Sequence, residues 1–555
     1  MRLGICAAAA ATFLSAQGGG RRPLSSDDIA AISRLVKLED TRTFDAQVLG
    51  ALVKSPHAEV RRRTVQSIAR IADPRGTALL APLRTDPDPE IVATVAFAAG
   101  QLKDPSTISW LGDVLSAPAT PVPIAFEAAT ALGKFQAADA RTALATYLAA
   151  ARLGPGTAPV IGAALLSMGR FPAGQRLDAI TKWATSPDAE IRWRAAWALF
   201  RPRDPTAVPQ LLGLSADPSP EVRFWAVRGL LPYPGVDPAP AAARLREAVN
   251  DPDRRVRTEA LRALAQHADD ASFAIVLESL DSPDPWLSIS AAEAMARVPE
   301  RAGAIVPRLV AAAGARRPLS MRLTALTPLV TLSPAAAVDL AATLAREPGL
   351  VARTAARQAL NRLGPAGKAR LDALISAGAL PAPPTPGTAR RRNAAVVPAR
   401  PDADYRRIVE RWIVTDYNGQ AKPRAVLETA RGLIEIELYP GDSPLGVEHF
   451  ARLTESGEIV GTEFGRVVPN FVAQQRAIRD DVTLRDEVNR RGLLRGTVSW
   501  ASAGLDTGRP GYTLAITPQP HNEGNFTALG RVVSGMDIVE KLELGDTITA
   551  ARMIR

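Results

Sequence analysis

The stretch Phe464–Gln475, FGRVVPNFVAQQ, sets strand-forming residues on both sides of a Pro469–Asn470 bend. Arg466 precedes the bend, Phe471 follows it, and Gln474 lies three places further on. A strand period puts Val472 and Gln474 on one face, and Phe471 joins that face only if the bend turns it inward. By itself this is a hairpin with a surface arginine and a core phenylalanine, so its meaning depends on the flanking sequence.

Those flanks continue the strand pattern. RGLIEIELYP (431–440) alternates, with Ile434, Ile436 and Leu438 on one face and Leu433, Glu435, Glu437 and Tyr439 on the other, which predicts a half-buried strand. SPLGVEHFARLTESG (443–457) predicts a helix: Ser443 can cap it, Pro444 fits its first turn, and Gly457 ends it. RGTVSWASAG (495–504) and GYTLAITP (511–518) read as strands, and ALGRVVSGMDIVEKLE (528–543) as strand, turn and helix. Many strands with two helices predict a closed barrel with two capping helices.

Upstream, residues 376–404 are rich in Pro and Ala and carry the run Arg390–Arg392, which reads as an extended, semi-rigid tether. Before that, one pattern recurs from about Asp40 to Leu374. SPHAEVRRRTVQSIARI (55–71), DPDPEIVATVAFAAGQL (86–102), SPDAEIRWRAAWALF (186–200), DPSPEVRFWAVRGLL (217–231), DPDRRVRTEALRALA (251–265) and DSPDPWLSISAAEAMA (281–296) each open on Asp or Ser with Pro, a helix start. Val60 and Ile91 lie 31 residues apart, as do Ile191 and Val222; Val222 and Val256 lie 34 apart. A period of this length means stacked helix pairs, which bury a continuous core only together. The capping Asp residues and the Arg residues that follow predict a ladder between neighbouring repeats. Trp193, Trp197, Trp225 and Trp286 are expected to fill this core.

The chain has 555 residues, too many for one compact domain, and a net charge of +10. Its basic residues are scattered among acids rather than blocked with aromatics, which argues against nucleic acid as a partner. The N-terminal MRLGICAAAAATFLSAQ has one positive residue, an apolar stretch and then small residues, the pattern of a secretory signal peptide over residues 1–17. It predicts an exported, periplasmic protein with no integral membrane segment after its removal. Cys6, the one cysteine, lies within it, so a mature chain would have no disulfide or thiolate chemistry. The four histidines, His57, His267, His449 and His521, form no ligand cluster, and neither metal nor cofactor is expected.

The repeats resemble HEAT-like repeats of a short bacterial type, which implies a superhelical all-α solenoid over 25–375 that binds a protein partner the sequence does not name. The later stretches GLIEIELYPGDSPLGVEHF, FGRVVPNFVAQQ, RGTVSWASAG and GNFTALGRVVSGMDIVEKLE resemble, in order, the cyclophilin peptidyl-prolyl isomerases. That resemblance implies a mainly-β cyclophilin-like barrel over 405–555, acting on proline-containing protein clients recruited by the repeats. By resemblance Arg466, Phe471 and Gln474 are catalytic, and Val472, Phe464, Ala501, Ser502, Thr513, Ala515, His521 and Phe526 contact substrate. Several positions depart from the family: Gly465 replaces His, Thr513 a Gln, Ala515 an aromatic, His521 a Trp, Phe526 a His, Ser502 an Asn and Trp500 a Met, while Gln475 and Arg476 replace a Gly pair. Lost pocket aromatics weaken proline binding by on the order of 1 kcal/mol each. These departures keep a second expectation open: a scaffold whose degenerate barrel grips proline segments without turning them over.

Overall fold

A computed structural model describes residues 22–174, 177–382, 395–396, 399–478 and 482–554. The expected signal segment, Cys6 and the Arg390–Arg392 run lie outside these residues.

The repeats form two rows of helices. One row runs through Ser26–Thr41, Ala58–Ile71, Pro89–Leu102, Val122–Leu132, Ala158–Met168, Ala189–Phe200, Pro220–Val227, Arg254–Leu264, Pro285–Met295, Leu319–Leu332 and Leu350–Arg362, each packed on the next. Alanines let the helices approach closely: Ala93, Ala96, Ala128, Ala195, Ala226, Ala260 and Ala292 are fully buried. The Asp–Arg ladder is present. Arg61 pairs with Asp86 at 2.8 Å, Arg192 with Asp217 at 2.6 Å and Arg223 with Asp251 at 2.7 Å. Each guanidinium also donates to a carbonyl of its own repeat's turn, Ser55, Ser186 and Asp217 respectively. One side chain thus ties two consecutive turns together, which is why Arg recurs after the cap. Trp193, Trp197, Trp225 and Trp286 are all buried, and Trp193 stacks on Trp225 at 6.1 Å.

Eight strands form one sheet: β1 (Arg424–Thr429), β2 (Gly432–Leu438), β3 (Phe464–Val468), β4 (Val472–Gln475), β5 (Thr497–Ala501), β6 (Arg509–Ala515), β7 (Ala528–Ser534) and β8 (Ile548–Ile554). Their order in the sheet is β8-β1-β2-β7-β5-β6-β4-β3, all antiparallel. The edges meet at one end, where Ile548 N–H donates to Thr462 O at 3.1 Å and Phe464 N–H to Asp546 O at 2.8 Å, so the sheet curls into a barrel. Ile434, Ile436 and Leu438 fill its interior as the alternation predicts.

Three local expectations need correction. A helical run begins at Asp402 and reaches Tyr417, inside the expected tether and beyond the two expected capping helices. Its Tyr405, Ile408, Val409 and Trp412 are buried between the first repeat helix and the barrel. The other two helices, Pro444–Glu455 and Met536–Val539, sit where expected. Ser443 does not cap the first of them with its side chain; its hydroxyl donates to Ala528 O at 2.9 Å. The buried Glu487 carboxylate accepts from Leu445 N–H and Gly446 N–H instead, at 3.1 and 2.7 Å, satisfying the helix's orphan donors.

The barrel is docked on the solenoid rather than merely tethered to it. Ile32, Val36, Val60 and Trp286 of the repeats share one apolar cluster with the barrel core. Polar ties run nearly the length of the array: Arg42 to Asp506, Arg490 to Glu90 and Glu127, and Ser320 to Glu543. Glu463 caps the helix Leu350–Arg362, accepting from Leu350 N–H and Val351 N–H at 2.8 and 2.7 Å. No described helix is long and apolar enough to cross a membrane.

Candidate functional site

The β3–β4 hairpin carries the site. Between them Asn470 adopts φ 60°, a left-handed conformation that asparagine tolerates better than most residues. The bend turns Phe471 onto the outer face of the sheet. There the Arg466 guanidinium carbon lies 5.3 Å from the Phe471 ring centroid, and Arg466 Nη1 donates a long hydrogen bond to Gln474 Oε1 at 3.4 Å. Arg466 is solvent-exposed and Phe471 half-buried.

Register explains which residues join them. Arg466 faces Gln474, Gln474 faces Thr513, and Thr513 faces Ser499, giving a polar row across β3, β4, β6 and β5. Thr513 and Ser499 share a hydrogen bond of 2.6 Å between their hydroxyls. Val472 faces Ala515 in the adjoining register position, and both are buried. His521 stacks on Phe471 with centroids 6.3 Å apart and planes 21° apart. Burial, together with Arg201, Arg228 and Arg170, pushes His521 down to about 4, so its ring is neutral near pH 7. Phe526 is half-buried ahead of β7, and Ala501 and Ser502 are half-buried at the end of β5, where Ser502 Oγ donates to Gly504 O.

Phe464 does not belong to this face. It is fully buried in the barrel core, because the pairing shifts between Phe464 and Arg466. This bulge at Gly465 breaks the strand alternation, so two residues of like parity point to opposite faces. The expectation that Phe464 contacts substrate is therefore overturned.

The bend is held from two sides. From the barrel, Thr517 Oγ1 donates to Asn470 O at 2.7 Å, and Ile516 N–H and Gln519 Nε2 donate to Phe471 O at 2.9 and 3.1 Å. From the solenoid helix Arg254–Leu264, Arg262 Nη1 donates to Pro469 O at 2.7 Å. Asn470 Nδ2 donates to Glu259 Oε1 and to Arg255 O, both at 2.9 Å. Burial would raise the Glu259 carboxyl, but Arg228, Arg262 and the Asn470 bond outweigh it and hold it below the usual carboxylate range. Sequence reasoning missed this brace: Asn470 and Glu259 lie 211 positions apart with no motif linking them.

Residues 424–555 match the family model described as cyclophilin type peptidyl-prolyl cis-trans isomerase/CLD. A peptidyl-prolyl cis-trans isomerase of Synechococcus elongatus is 31% identical over 139 residues, spanning 24% of this chain and 96% of its own. One from Helicobacter pylori is 34% identical over 22% of this chain and 82% of its own. Peptidyl-prolyl cis-trans isomerase B of Bacillus subtilis is 34% identical over 22% and 90%. The chain belongs to the cyclophilin-type peptidyl-prolyl cis-trans isomerases. Residues 46–125, 157–231 and 213–296 match HEAT repeats, so this cyclophilin carries its isomerase domain behind a repeat array.

The structure also links two of the departures from the cyclophilin pattern. A Cβ on Gly465 would run into Arg476 Cγ. The arginine in place of a glycine fills the space that the glycine in place of a histidine leaves, so the two changes complement each other.

Proposed function

We propose that the protein is an exported isomerase that rotates X-Pro bonds in protein clients, with Arg466, Phe471 and Gln474 as the acting side chains and the repeat array recruiting the clients. The single observation that carries this reading is the Arg466 guanidinium set over the Phe471 ring and bonded to Gln474. Rotation about the amide faces a barrier of ~18–20 kcal/mol and breaks no bond, so it needs no nucleophile or general base. What lowers the barrier is a group that binds the twisted amide better than the planar one. As the amide twists, its nitrogen pyramidalises and gains a lone pair, which the Arg466 cation stabilises. Phe471 offers the half-exposed apolar surface for the pyrrolidine ring, with Val472 and Ala515 buried beside it. Gln474 steadies the guanidinium, and the Thr513–Ser499 hydroxyl pair offers polar contact to the client backbone. The retention of these three side chains favours turnover over a passive grip.

Export rests on the charge and apolar pattern of Met1–Gln17. The N-terminal sequence of the mature protein tests it: a start at Met1 contradicts export. Recruitment rests on the helix Arg254–Leu264, which meets the bend directly. The enzyme reading is tested by a protease-coupled assay on a short X-Pro peptide with the native protein and Arg466→Lys. Loss of the planar fork should lower kcat/KM by roughly tenfold or more. Equal rates contradict the assignment of Arg466.

A further inference from the structure

A cavity of about 460 Å³ lies where the loop Pro520–Asn525 meets the solenoid. Its charged lining is Lys103, Lys134, Arg170 and Arg201, joined by His521 and Asn525, and no acidic side chain lines it. The cavity is built rather than incidental. Arg170 Nη2 donates to Pro520 O at 2.6 Å, Gln101 Nε2 to Gly524 O at 2.9 Å, and Lys134 Nζ to Gln101 Oε1 at 3.2 Å. These bonds latch the loop to the repeats and hold the cavity open between them. Lys103 and Arg201 make no ion pair or side-chain hydrogen bond among the described residues. Two carboxylates outside the lining act on these cations, Glu127 on Lys134 and Glu523 on Lys134 and Arg170. Glu127 is paired with Arg490, and Glu523 accepts from Leu493 N–H; burial raises its carboxyl, with Arg170 pulling it partly back. Burial and then Arg170 push Lys134 down to about 7. Burial likewise lowers Arg170, with Arg201 adding to the effect.

His521 connects this cavity to the site, lining it while stacking on Phe471. A polypeptide whose proline rests on Phe471 therefore has its neighbouring residues directed toward the cations Lys103, Arg170 and Arg201. We propose that this cavity is a specificity subsite for an acidic client segment, binding the Asp or Glu side chain that flanks the proline being turned. The inference rests on the isomerase reading for the proline's position and goes beyond it in naming the client's chemistry. An unpaired guanidinium and ammonium in a partly enclosed cavity favour a carboxylate more strongly than the same charges would in open solvent, and they discriminate by sign.

The test uses full-length protein and two peptides, one with Glu on both sides of an Ala-Pro pair and one with Gln at the same positions. Binding is followed with a fluorescent label and isomerisation by equilibrium NMR exchange, both at low salt. The Glu peptide should show about tenfold higher affinity and kcat/KM than the Gln peptide, and the preference should shrink as salt is added. The Lys103→Gln/Arg201→Gln double variant should lose that preference while turning over the Gln peptide at the native rate. Equal handling of the two peptides by the native protein overturns the subsite, as does an equal loss on both peptides in the double variant. Preference in binding without any isomerisation leaves the subsite standing and removes the enzyme reading. Failure of both assays removes both.

Discussion

Asn470 Nδ2 lies 2.9 Å from Glu259 Oε1, so a residue of the isomerase hairpin in a left-handed turn is bonded to a buried carboxylate of the eighth helix in the packed row. The side chain that aims Phe471 is thus held by the solenoid as well as by the barrel.

This bond separates aiming from folding. Glycine adopts positive φ without strain, so Asn470→Gly keeps the turn and removes only the tie to Glu259 and Arg255. Hydrogen bonds to charged groups contribute about 1.5–3 kcal/mol. If that energy serves to place Phe471 under Arg466, kcat/KM should fall by roughly tenfold while the thermal midpoint moves by only a few degrees. Isomerisation kinetics and calorimetry on the same sample check it; an unchanged rate contradicts the brace.

The complementary pair Gly465 and Arg476 predicts a double-mutant cycle. Gly465→His alone should destabilise the hairpin by roughly 1–3 kcal/mol, because the new side chain meets Arg476. Adding Arg476→Gly should restore most of that loss, giving a coupling of at least about 1 kcal/mol in denaturant unfolding. Additive losses would show that the two departures are independent.

The repeat ladder sets an acid limit. Arg192 and Asp217 are both largely buried, so Arg192→Ala should cost about 3 kcal/mol by leaving Asp217 without its partner. In the native chain burial pushes Asp217 up, but the Arg192 hydrogen bond and the Ser219 N–H outweigh it and hold its carboxyl below the usual range. The stability this supplies is present in full above about pH 4 and is lost as pH falls through the lowered value. A urea series from pH 6 to pH 2 should show the native protein losing stability below about pH 4, with a shallower slope in Arg192→Ala.

His521 predicts a second, earlier acid limb. Its folded value of about 4 lies below the 6.5 of a free imidazole. As pH falls below about 6.5 the unfolded chain takes up this proton before the folded chain does, so stability declines from there until about pH 4. Protonation also sets a cation among Arg170, Arg201 and Arg228 and loosens its stack on Phe471. His521→Phe should flatten the loss of both stability and activity between pH 6 and pH 4. An unchanged acid limb in that variant assigns it to other groups.

Where the fold was legible in sequence, a local rule wrote it. The Asp-Pro starts and the following Arg give the repeat helices and their ladder, and Ile434, Ile436 and Leu438 show their face by alternation. Arg466, Phe471 and Gln474 come together because the hairpin fixes their spacing. Phe464 misled because a bulge at Gly465 reverses its face, and a lone Gly in a strand only hints at one. Ser443 misled because a better acceptor, Glu487, arrives from 44 positions away. The docking of barrel on solenoid was hidden for the same reason. Asn470 with Glu259, Glu463 with Leu350, and Arg170 with Pro520 are pairs between distant segments, each an ordinary polar residue in its own local sequence.

The central claim is that the Arg466 cation over Phe471 accelerates rotation about the bond before proline. The most direct measurement is the cis/trans exchange rate of a short X-Pro peptide at equilibrium, with catalytic amounts of the full-length native protein and of Arg466→Ala. The native chain should accelerate exchange well above buffer, and Arg466→Ala should retain roughly a hundredth of that acceleration or less. Exchange at the buffer rate with the native protein, or equal acceleration by the variant, would contradict it.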